Sequence, residues 1–395
     1  MTIEQPSPRI LVVDDNDDNR YTLTLYLELE NYTDIAIAED GEQAIVQLKE
    51  KRFDLVLLDV MMPKVDGYQV LTWLKAQPHL RDLPVIMISA LNEMGSVVRC
   101  IELGAVDYLQ KPFNQHLLRA RLGASLDKKR LRDQVNAHLA RLEQELEAAR
   151  NLQMSMLPQV FPDPTPQCPI DIHGLVQPAR EVGGDLFDFF TTEDGLLCFF
   201  VGDVSGKGMP AALFMARTKS LVRIATELMR GSNTAIGPAE IIARVNRELC
   251  QNNNDMMFVT LFFGILAPAT GVLAYCNAGH NPPYRTNGNT LAPIEDARGI
   301  ILGVRPQAEY QTGTLTLEPD DILYLFSDGV TEAYDTTGAL FSEERLEAAL
   351  RAAAGLSSRE VVRVVSDALK TFVGTALPSD DITMLALRWL DAAAL

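Results

Sequence analysis

Apolar runs and helical patterns alternate along the N-terminal third of the chain. The runs have the length and composition of buried strands, and they cover residues 10–13, 53–58, 83–88 and 105–109. The segments between them have helical patterns, and they cover residues 19–30, 41–50, 68–77 and 94–103. This alternation predicts a doubly wound, five-stranded parallel sheet with helices, a flavodoxin-like α/β fold.

Polar residues stand where these runs end. Asp14 and Asp15 follow the first run, Asp59 the second, Ser89 the third, and Lys111 comes shortly after the last. An aspartate after a strand is usually a turn residue or a helix cap, but ligands of such sheets bind at the carboxyl ends of the strands. Three carboxylates there can hold Mg²⁺ through oxygen. Asp59 can then attack a phosphoryl group whose charge the metal and Lys111 offset, and Ser89 can bond the attached group.

A stretch without charged side chains, residues 256–284, is long enough to suggest a membrane span. A proline and two glycines interrupt it between apolar runs at 258–266 and 272–277. A buried β-hairpin is therefore the better interpretation. Further strands are expected at residues 196–201, 322–326 and 384–387.

Residues 124–156 predict one helix, because they contain no proline and are rich in good helix formers. Apolar residues recur there at alternating spacings of four and three, the pattern of a coiled-coil seam: Val135, Leu139, Leu142, Leu146 and Ala149. The helix either packs on its own domain or pairs with a second copy, and we favour a homodimer through this linker. A proline-rich segment, 158–166, ends the helix.

Acidic residues in the second half of the chain stand at predicted strand ends or turns. They are Asp185, Asp203, Asp328 and the neighbours Asp380 and Asp381. Any one of them would be an ordinary turn residue, but together they suggest a common site. Two divalent ions held by carboxylates lower the pKa of a bridging water and clamp phosphoryl oxygens for attack. Ligation by oxygen alone favours Mg²⁺ or Mn²⁺ over zinc.

The glycine-rich turn at 202–208 is not a phosphate-binding P-loop. No glycine stands five residues before Gly206, and Gly208 replaces the serine or threonine that would hold Mg²⁺. His280 lies in a second such turn, 277–283, and we interpret it as a structural turn residue rather than a metal ligand.

Composition excludes some partners. The formal net charge of −18 argues against a nucleic-acid partner and against adhesion to an anionic membrane. The five cysteines form no CxxC pair, and the N-terminal residues lack the basic and apolar regions of a signal peptide. We therefore expect a cytoplasmic protein with reduced thiols.

Residues 8–124 resemble the receiver domain of two-component response regulators. The motifs that carry the resemblance are Asp14–Asp15, residues 59–63, Asp66–Gly67, Ser89–Ala90 and Lys111–Pro112. The resemblance implies that Asp59 takes a phosphoryl group from a histidine kinase. It also implies that Asp15, Asp59 and the backbone carbonyl of Met61 bind Mg²⁺, with Asp14 close by.

The same resemblance implies a switch around Asp59. Tyr108 stands where receivers keep an aromatic residue that swings inward with Ser89. The peptide bond between Lys111 and Pro112 is expected to be cis, as in that family.

Residues 168–390 resemble the PPM (type-2C) family of metal-dependent Ser/Thr phosphatases, in the bacterial branch that regulates sigma factors and sporulation. The motifs are residues 181–185, 202–208, 258–260, 277–283, 328–332 and 380–381. The resemblance implies an α+β domain with two antiparallel sheets flanked by helices. It implies that Asp185 and Asp203 bridge two Mn²⁺ or Mg²⁺ ions, with the Val204 carbonyl assisting. Asp328 and either Asp380 or Asp381 would complete the site, and the spacing to the next strand favours Asp380.

Eukaryotic members of the PPM family use two further residues, an arginine and a histidine. Their phosphate-binding arginine corresponds in position to Arg180, which is otherwise a surface residue. Their general-acid histidine has no counterpart, because Lys207 and Gly208 occupy that stretch. The helix at 210–230, which we expect Gly231 to end in a left-handed conformation, is implied to be the regulatory element next to Asp203.

These patterns and resemblances predict the domains of the chain and its function. We expect a receiver domain at 1–124, a helical linker at 125–157, a proline-rich connector at 158–167 and a phosphatase domain at 168–391. Phosphorylation would control hydrolysis of phosphoserine or phosphothreonine on a protein, by resemblance an anti-sigma-factor antagonist. The alternative is a non-catalytic adaptor that binds a sigma factor or its regulator. A transcription factor is disfavoured, because no basic recognition helix follows the receiver.

Overall fold

The computed structural model describes residues 7–90, 94–232, 236–287 and 290–391. The chain divides into two units, residues 1–142 and 143–395. No helix in the described ranges has both the length and the apolar composition needed to cross a bilayer.

The first unit has the predicted α/β fold. Its strands are β1 (Ile10–Val13), β2 (Ile35–Ala38), β3 (Leu55–Asp59), β4 (Val85–Ser89) and β5 (Asp107–Gln110). Its first four helices are α1 (Asp17–Leu29), α2 (Gly41–Glu50), α3 (Gly67–Ala76) and α4 (Met94–Glu102). The strands pair in parallel in the order β2-β1-β3-β4-β5. Strand β2 is not among the apolar runs named above. It is four residues long and only partly buried.

Side-chain caps explain where three helices of this unit begin. Asn16, Asp40 and Asp66 each precede a helix, and each side chain accepts a hydrogen bond from the amide three residues later. Such caps satisfy amides that have no partner within the helix. The sheet is buried on both faces, which accounts for strands made of continuous apolar residues.

The helix predicted at 124–156 is the C-terminal part of a longer one. Helix α5 spans Gln115–Met156, 42 residues without a break, so it begins in the first unit and ends in the second. Several apolar side chains along it are exposed, among them Leu131, Val135, Leu139 and Leu142. The other two seam residues, Leu146 and Ala149, are half-buried, so the uncovered part of the seam is its N-terminal part.

The second unit contains the remaining elements. Its strands are β6 (Ile170–Gln177), β7 (Leu186–Thr191), β8 (Leu197–Val204), β9 (Val259–Ala267), β10 (Val272–Ala278), β11 (Tyr284–Asn287), β12 (Thr290–Pro293), β13 (Arg298–Gly299), β14 (Gly313–Thr316), β15 (Ile322–Phe326) and β16 (Ile382–Trp389). Its helices are α6 (Met209–Ser232), α7 (Pro238–Leu249), α8 (Asp328–Thr331), α9 (Ser342–Ala352) and α10 (Ser358–Val373).

Two sheets form the centre of this unit, as expected for the α+β fold. One has the order β13-β10-β9-β8-β7, with β14 also on β10, and the other has the order β12-β11-β15-β16-β6. All pairings are antiparallel except a two-residue parallel pairing of β10 with β13. The predicted hairpin is β9 and β10. One large apolar core contains residues of both sheets, such as Phe199 and Leu385, and a second core joins the β15 sheet to α9 and α10.

Two local predictions near Asp203 were wrong. Asp203 lies inside β8 rather than in the turn after the strand, because β8 continues to Val204 in register with β9. Helix α6 does not stop in a left-handed residue at Gly231, since Gly231 is helical and the helix continues to Ser232. Helix α6 is held to β7 by the buried Asp188, whose carboxylate pairs with Lys219 and Arg223.

Candidate metal and phosphoryl sites

The strand register of the first unit brings its acidic residues to one edge of the sheet. Val13 on β1 pairs with Leu58 on β3, so Asp14 and Asp59, the next residues, emerge side by side. Asp14 and Asp59 are buried and Asp15 is exposed. One carboxylate oxygen from each of the three lies within 4.8 Å of the others. This oxygen set fits a hard divalent ion such as Mg²⁺.

Lys111 brings a positive charge to the same edge. Its Nζ lies 2.8 Å from Oδ2 of Asp14 and 3.0 Å from Oδ1 of Asp59. Burial, together with the negative charges of Asp14 and Asp15, raises the pKa of Asp59 to about 6, while Lys111 opposes that rise. Three carboxylates thus lie close together at this edge, and the Lys111 ammonium group balances only part of their negative charge. Such a site favours binding of a cation.

The remaining predicted receiver residues lie nearby. Ser89 is buried at the end of β4, and its carbonyl accepts a hydrogen bond from the Lys111 amide at 2.9 Å. The Lys111–Pro112 bond is cis, as expected. The Tyr108 ring is half-buried, with the Arg121 guanidinium 5.0 Å from its centroid. Met61 exposes its side chain, and metal binding by its carbonyl stays a prediction.

In the second unit, two aspartates meet at the ends of β7 and β8. Leu186 pairs with Gly202, so Asp185 and Asp203 face each other one step further along the antiparallel pair. Burial, reinforced by the charge of Asp203, raises the pKa of Asp185 well above its usual range. Burial and the charge of Asp328 raise the pKa of Asp203 to about 6, while a hydrogen bond with the Asp185 carboxyl opposes this rise. Burial therefore disfavours ionisation of both carboxylates together, and a bound cation would offset that cost.

Ser327 links this pair to the second sheet. Its hydroxyl donates to Oδ2 of Asp185 at 2.7 Å and accepts from the Thr383 amide at 2.9 Å. Ser327 follows β15, and Thr383 belongs to β16. The acidic pair on one sheet is thus oriented by the end of the other.

The neighbours Asp380 and Asp381 have different partners. Asp381 is buried, and its carboxylate accepts from the amides of Ala179 at 2.8 Å and Gly184 at 2.6 Å. Asp380 is half-exposed, and its Oδ2 lies 3.0 Å from Nζ of Lys207. Asp381 thereby holds the loop before Asp185, whereas the Asp380 carboxylate faces the other acids. This difference supports Asp380 as the direct ligand.

Asp328 joins the group from the start of α8. Its pKa is raised by burial and by the charges of Glu332 and Asp380. Within the described ranges, no acidic set outside the first unit has three ligand oxygens within 4.8 Å of one another. The second site is therefore a close pair, Asp185 and Asp203, with Asp328 and Asp380 around it.

Glycines permit the close approach of backbone at this site. A side chain at Gly183 would collide with the Asp381 carboxylate, and a Cβ at Gly184 would lie 2.6 Å from the Val204 carbonyl oxygen. Gly206 and Gly208 have φ of 88° and 76°, a region that favours glycine. The Val204 carbonyl thus lies beside the loop that carries Asp185, where it was expected to assist metal binding.

Two further candidates differ in burial. Arg180 is exposed, and its contact with phosphate stays a prediction. His280 is buried: its amide donates to Asn277 Oδ1 at 2.8 Å, and its Nδ1 lies 2.8 Å from the Thr260 hydroxyl. Burial lowers its pKa to about 4, which keeps the imidazole neutral. These contacts are those of a structural turn residue.

Three residues that contact the second site were not predicted as site residues. Ser327 precedes the motif 328–332 and Lys207 lies within the motif 202–208, but neither is acidic, so a search for carboxylate ligands does not find them. Gln153 belongs to α5, and its side-chain amide bonds to Gly183. Nothing in the linear order signals that contact, since 30 residues separate the two.

Comparison with known proteins identifies both units. Residues 10–123 match the response regulator receiver domain. Residues 193–390 match the family stage II sporulation protein E (SpoIIE).

Relatives cover different shares of the chain. Phosphoserine phosphatase RsbU of Bacillus subtilis is 30% identical over 249 residues, 62% of this chain and 70% of RsbU. Protein IcfG of Synechocystis sp. is 31% identical over 264 residues, 62% of this chain but only 41% of IcfG. The SiaA-PP2C domain of Pseudomonas aeruginosa shares the fold with a TM-score of 0.55 at 22% identity, covering 64% of this chain and 98% of that domain. The chain belongs to the SpoIIE family and carries a response-regulator receiver domain ahead of its PPM-type domain.

Proposed function

We propose that this chain is a response regulator in which phosphorylation of Asp59 controls a metal-dependent phosphoprotein phosphatase. The observation that carries the proposal is the pair Asp185 and Asp203, two carboxylates that the β7–β8 register brings opposite each other in a largely buried site. Burying two carboxylates side by side is costly for folding unless they bind a ligand. The similarity to phosphoserine phosphatase RsbU supports the same reaction class.

The receiver step uses the acidic edge of the first sheet. An Asp59 carboxylate oxygen attacks the phosphorus of a phosphohistidine on a kinase, so an O–P bond forms and the N–P bond breaks. Lys111, 3.0 Å from Asp59, offsets the added charge. Ser89, buried at the end of the neighbouring strand, would bond the phosphoryl oxygens. Mg²⁺ held by Asp14, Asp15 and Asp59 would neutralise further charge on that group.

The phosphatase step would use the second acidic site. Two Mn²⁺ or Mg²⁺ ions held by Asp185, Asp203, Asp328 and Asp380 would supply a water of lowered pKa and hold the phosphoryl oxygens. Ser327 orients Asp185, and the backbone contacts of Asp381 hold the loop before it. Lys207 pairs with Asp380 and limits the net negative charge that an incoming phosphate meets.

The substrate and partners are proposed on family grounds. The substrate class is a phosphoserine or phosphothreonine protein of the anti-sigma-antagonist type, and the phosphodonor is a histidine kinase. Exposed seam residues of α5, such as Leu139, support a homodimer through the linker at 125–157. The receiver at 1–124, the connector at 158–167 and the phosphatase domain at 168–391 complete the proposed organisation of a cytoplasmic protein without nucleic-acid or membrane partners.

Hydrolysis of an aryl phosphate with added Mn²⁺ tests the enzymatic proposal. We expect the Asp203→Ala variant to lose about two orders of magnitude or more in rate, because a bridging ligand is removed. Asp367→Ala, an exposed aspartate on α10, serves as the matched control and keeps the parent rate. Equal rates for the parent and Asp203→Ala would leave the adaptor function instead.

A further inference from the structure

Gln153 lies in the last turn of α5, and its side chain is buried against the loop that precedes Asp185. Its Nε2 donates to the Gly183 carbonyl at 2.6 Å, and its Oε1 accepts from the Gly183 amide at 3.2 Å. Only 7% of the residue is exposed. A buried amide satisfied at both ends by a single residue holds that residue in one place.

Gly183 is held on its other side by Asp381. A side chain at Gly183 would collide with the Asp381 carboxylate, and the next amide, that of Gly184, donates to Asp381 at 2.6 Å. Gly184 also lies against the Val204 carbonyl. The segment that leads into Asp185 is therefore fixed between the end of α5 and the Asp381 side chain.

Movement at the end of α5 must therefore affect Asp185. Hydrogen bonds weaken steeply once donor and acceptor separate beyond their normal range. A shift of Gln153 by about 1 Å would either pull Gly183 with it or leave a buried amide unsatisfied, which is costly. Two residues further on, Asp185 faces Asp203, and its Oδ2 accepts from Ser327 at 2.7 Å.

We propose that Gln153 is a positioning residue through which the end of α5 sets the geometry, and hence the metal affinity, of the Asp185–Asp203 site. The inference rests on the proposed function for the presence of metal ions there. Because α5 extends back to Gln115 in the first unit, this contact gives a displacement of that helix a direct path to the acidic pair.

The test compares Gln153→Ala with Gln159→Ala in the full chain. Gln159 is a matched control, because it is exposed, lies three residues beyond the end of α5 and also makes two side-chain bonds, to the carbonyls of Met154 and Leu157. The Mn²⁺ dissociation constant is measured by calorimetry or spin resonance, and amide exchange is followed over residues 178–186. Gln153→Met, which keeps the volume but removes both bonds, replaces Gln153→Ala if that variant does not fold.

We expect Gln153→Ala to weaken Mn²⁺ binding about tenfold, the range seen when groups that orient metal ligands are removed. Amides of the 178–186 segment should exchange faster, and Gln159→Ala should match the parent in both measurements. Lower thermal stability with unchanged Mn²⁺ affinity would overturn the inference and leave Gln153 a merely structural residue. A parent that binds Mn²⁺ but hydrolyses no phosphate would refute the proposed function while the affinity comparison still decides the role of Gln153. A parent that binds no Mn²⁺ would overturn both.

Discussion

Asp203 and Asp185 show how two ordinary residues acquire unusual chemistry from their surroundings. Each would ionise near pH 4 in water, but burial raises both pKa values, reinforced for Asp185 by the charge of Asp203 and for Asp203 by the charge of Asp328. The pKa of His280, in the turn after β10, moves in the opposite sense, because burial disfavours the charged form of its imidazole. In the second unit, burial therefore favours the uncharged forms of these side chains.

Replacing Asp203 by asparagine should separate stability from metal binding. Without divalent ions, Asp203→Asn relieves repulsion inside a buried pair, so we expect the unfolding midpoint to rise by about 2–4 °C. Added Mn²⁺ should raise the midpoint of the parent but not of the variant. Scanning calorimetry with chelator or with Mn²⁺ measures both effects.

The response of the parent to Mn²⁺ should also depend on pH. Because the pKa of Asp203 is about 6, the carboxyl must release a proton to bind the ion below that pH. The Mn²⁺-induced rise should thus be larger at about pH 7.5 than at about pH 5. An equal rise at both values, or a rise in Asp203→Asn, would contradict the proposed ligand role.

His280 makes a prediction about acid stability. Its pKa falls from 6.5 to about 4 on folding, so the unfolded state binds more protons between these values and stability is lost as pH falls. His280→Gln removes this titration. The stability advantage of the parent over the variant should therefore shrink by up to about 3 kcal/mol between pH 6.5 and 4. Urea unfolding in chelator measures the difference, and a constant difference would contradict the neutral buried state.

Strand pairing and helix packing decide how these residues meet. Antiparallel pairing of β7 with β8 places Asp185 opposite Asp203, and Ser327 reaches them from the end of β15. Helix α6 starts five residues after Val204, and Asp188 on β7 anchors it through Lys219 and Arg223. Breaking such a buried ion pair on one side is strongly destabilising, which makes α6 a firmly attached neighbour of the acidic site.

The exposed seam of α5 predicts self-association. Leu139 is 51% exposed in the single chain, in the middle of the seam. Leu139→Asp should convert a dimer into a monomer, because a charge at a seam position cannot be buried in a coiled coil without cost. Light scattering after gel filtration measures the mass. His138→Asp, at an exposed position beside the seam, is the control and should remain dimeric; a monomeric parent would contradict the dimer.

Two acidic sites in one chain define the protein at the scale of the whole molecule. The first fits one divalent ion beside Asp59, the proposed phosphoacceptor, and the second is a close pair with two flanking acids. One continuous helix, Gln115–Met156, is shared by both units. Helix α5 therefore runs without a break from Gln115 in the first unit to Gln153 in the second, and any coupling between the two sites stays a proposal.

Coupling between the units is tested with the full chain and beryllofluoride, an acyl-phosphate mimic. We expect the mimic to change the Mn²⁺-dependent rate on an aryl phosphate by about fivefold or more, the lower range of measured coupling between sites. Asp59→Asn cannot take the mimic and should show no change. A response that persists in Asp59→Asn would refute control through this aspartate.

Much of this architecture could be predicted from linear patterns. The parallel sheet, the β9–β10 hairpin and the linker helix follow from apolar periodicity, and the acids at strand ends follow from motif spacing. These features are local, because each depends on residues close together in the chain. The errors at Asp203 and Gly231 were also local. Strand β8 extends to Val204, in register with β9, and helix α6 continues past Gly231 to Ser232.

Other features depended on the tertiary structure. Asp380 and Asp381 are neighbours with equal chemistry, and only the amides of Ala179 and Gly184, some 200 residues away, distinguish their roles. The bond from Gln153 to Gly183 likewise has no linear signal. Residue types and their periodicity thus determined which elements form and which side chains carry charge. Which carboxylate meets which partner was decided by packing, because hydrogen bonds and burial act between positions that the order of the chain does not bring together.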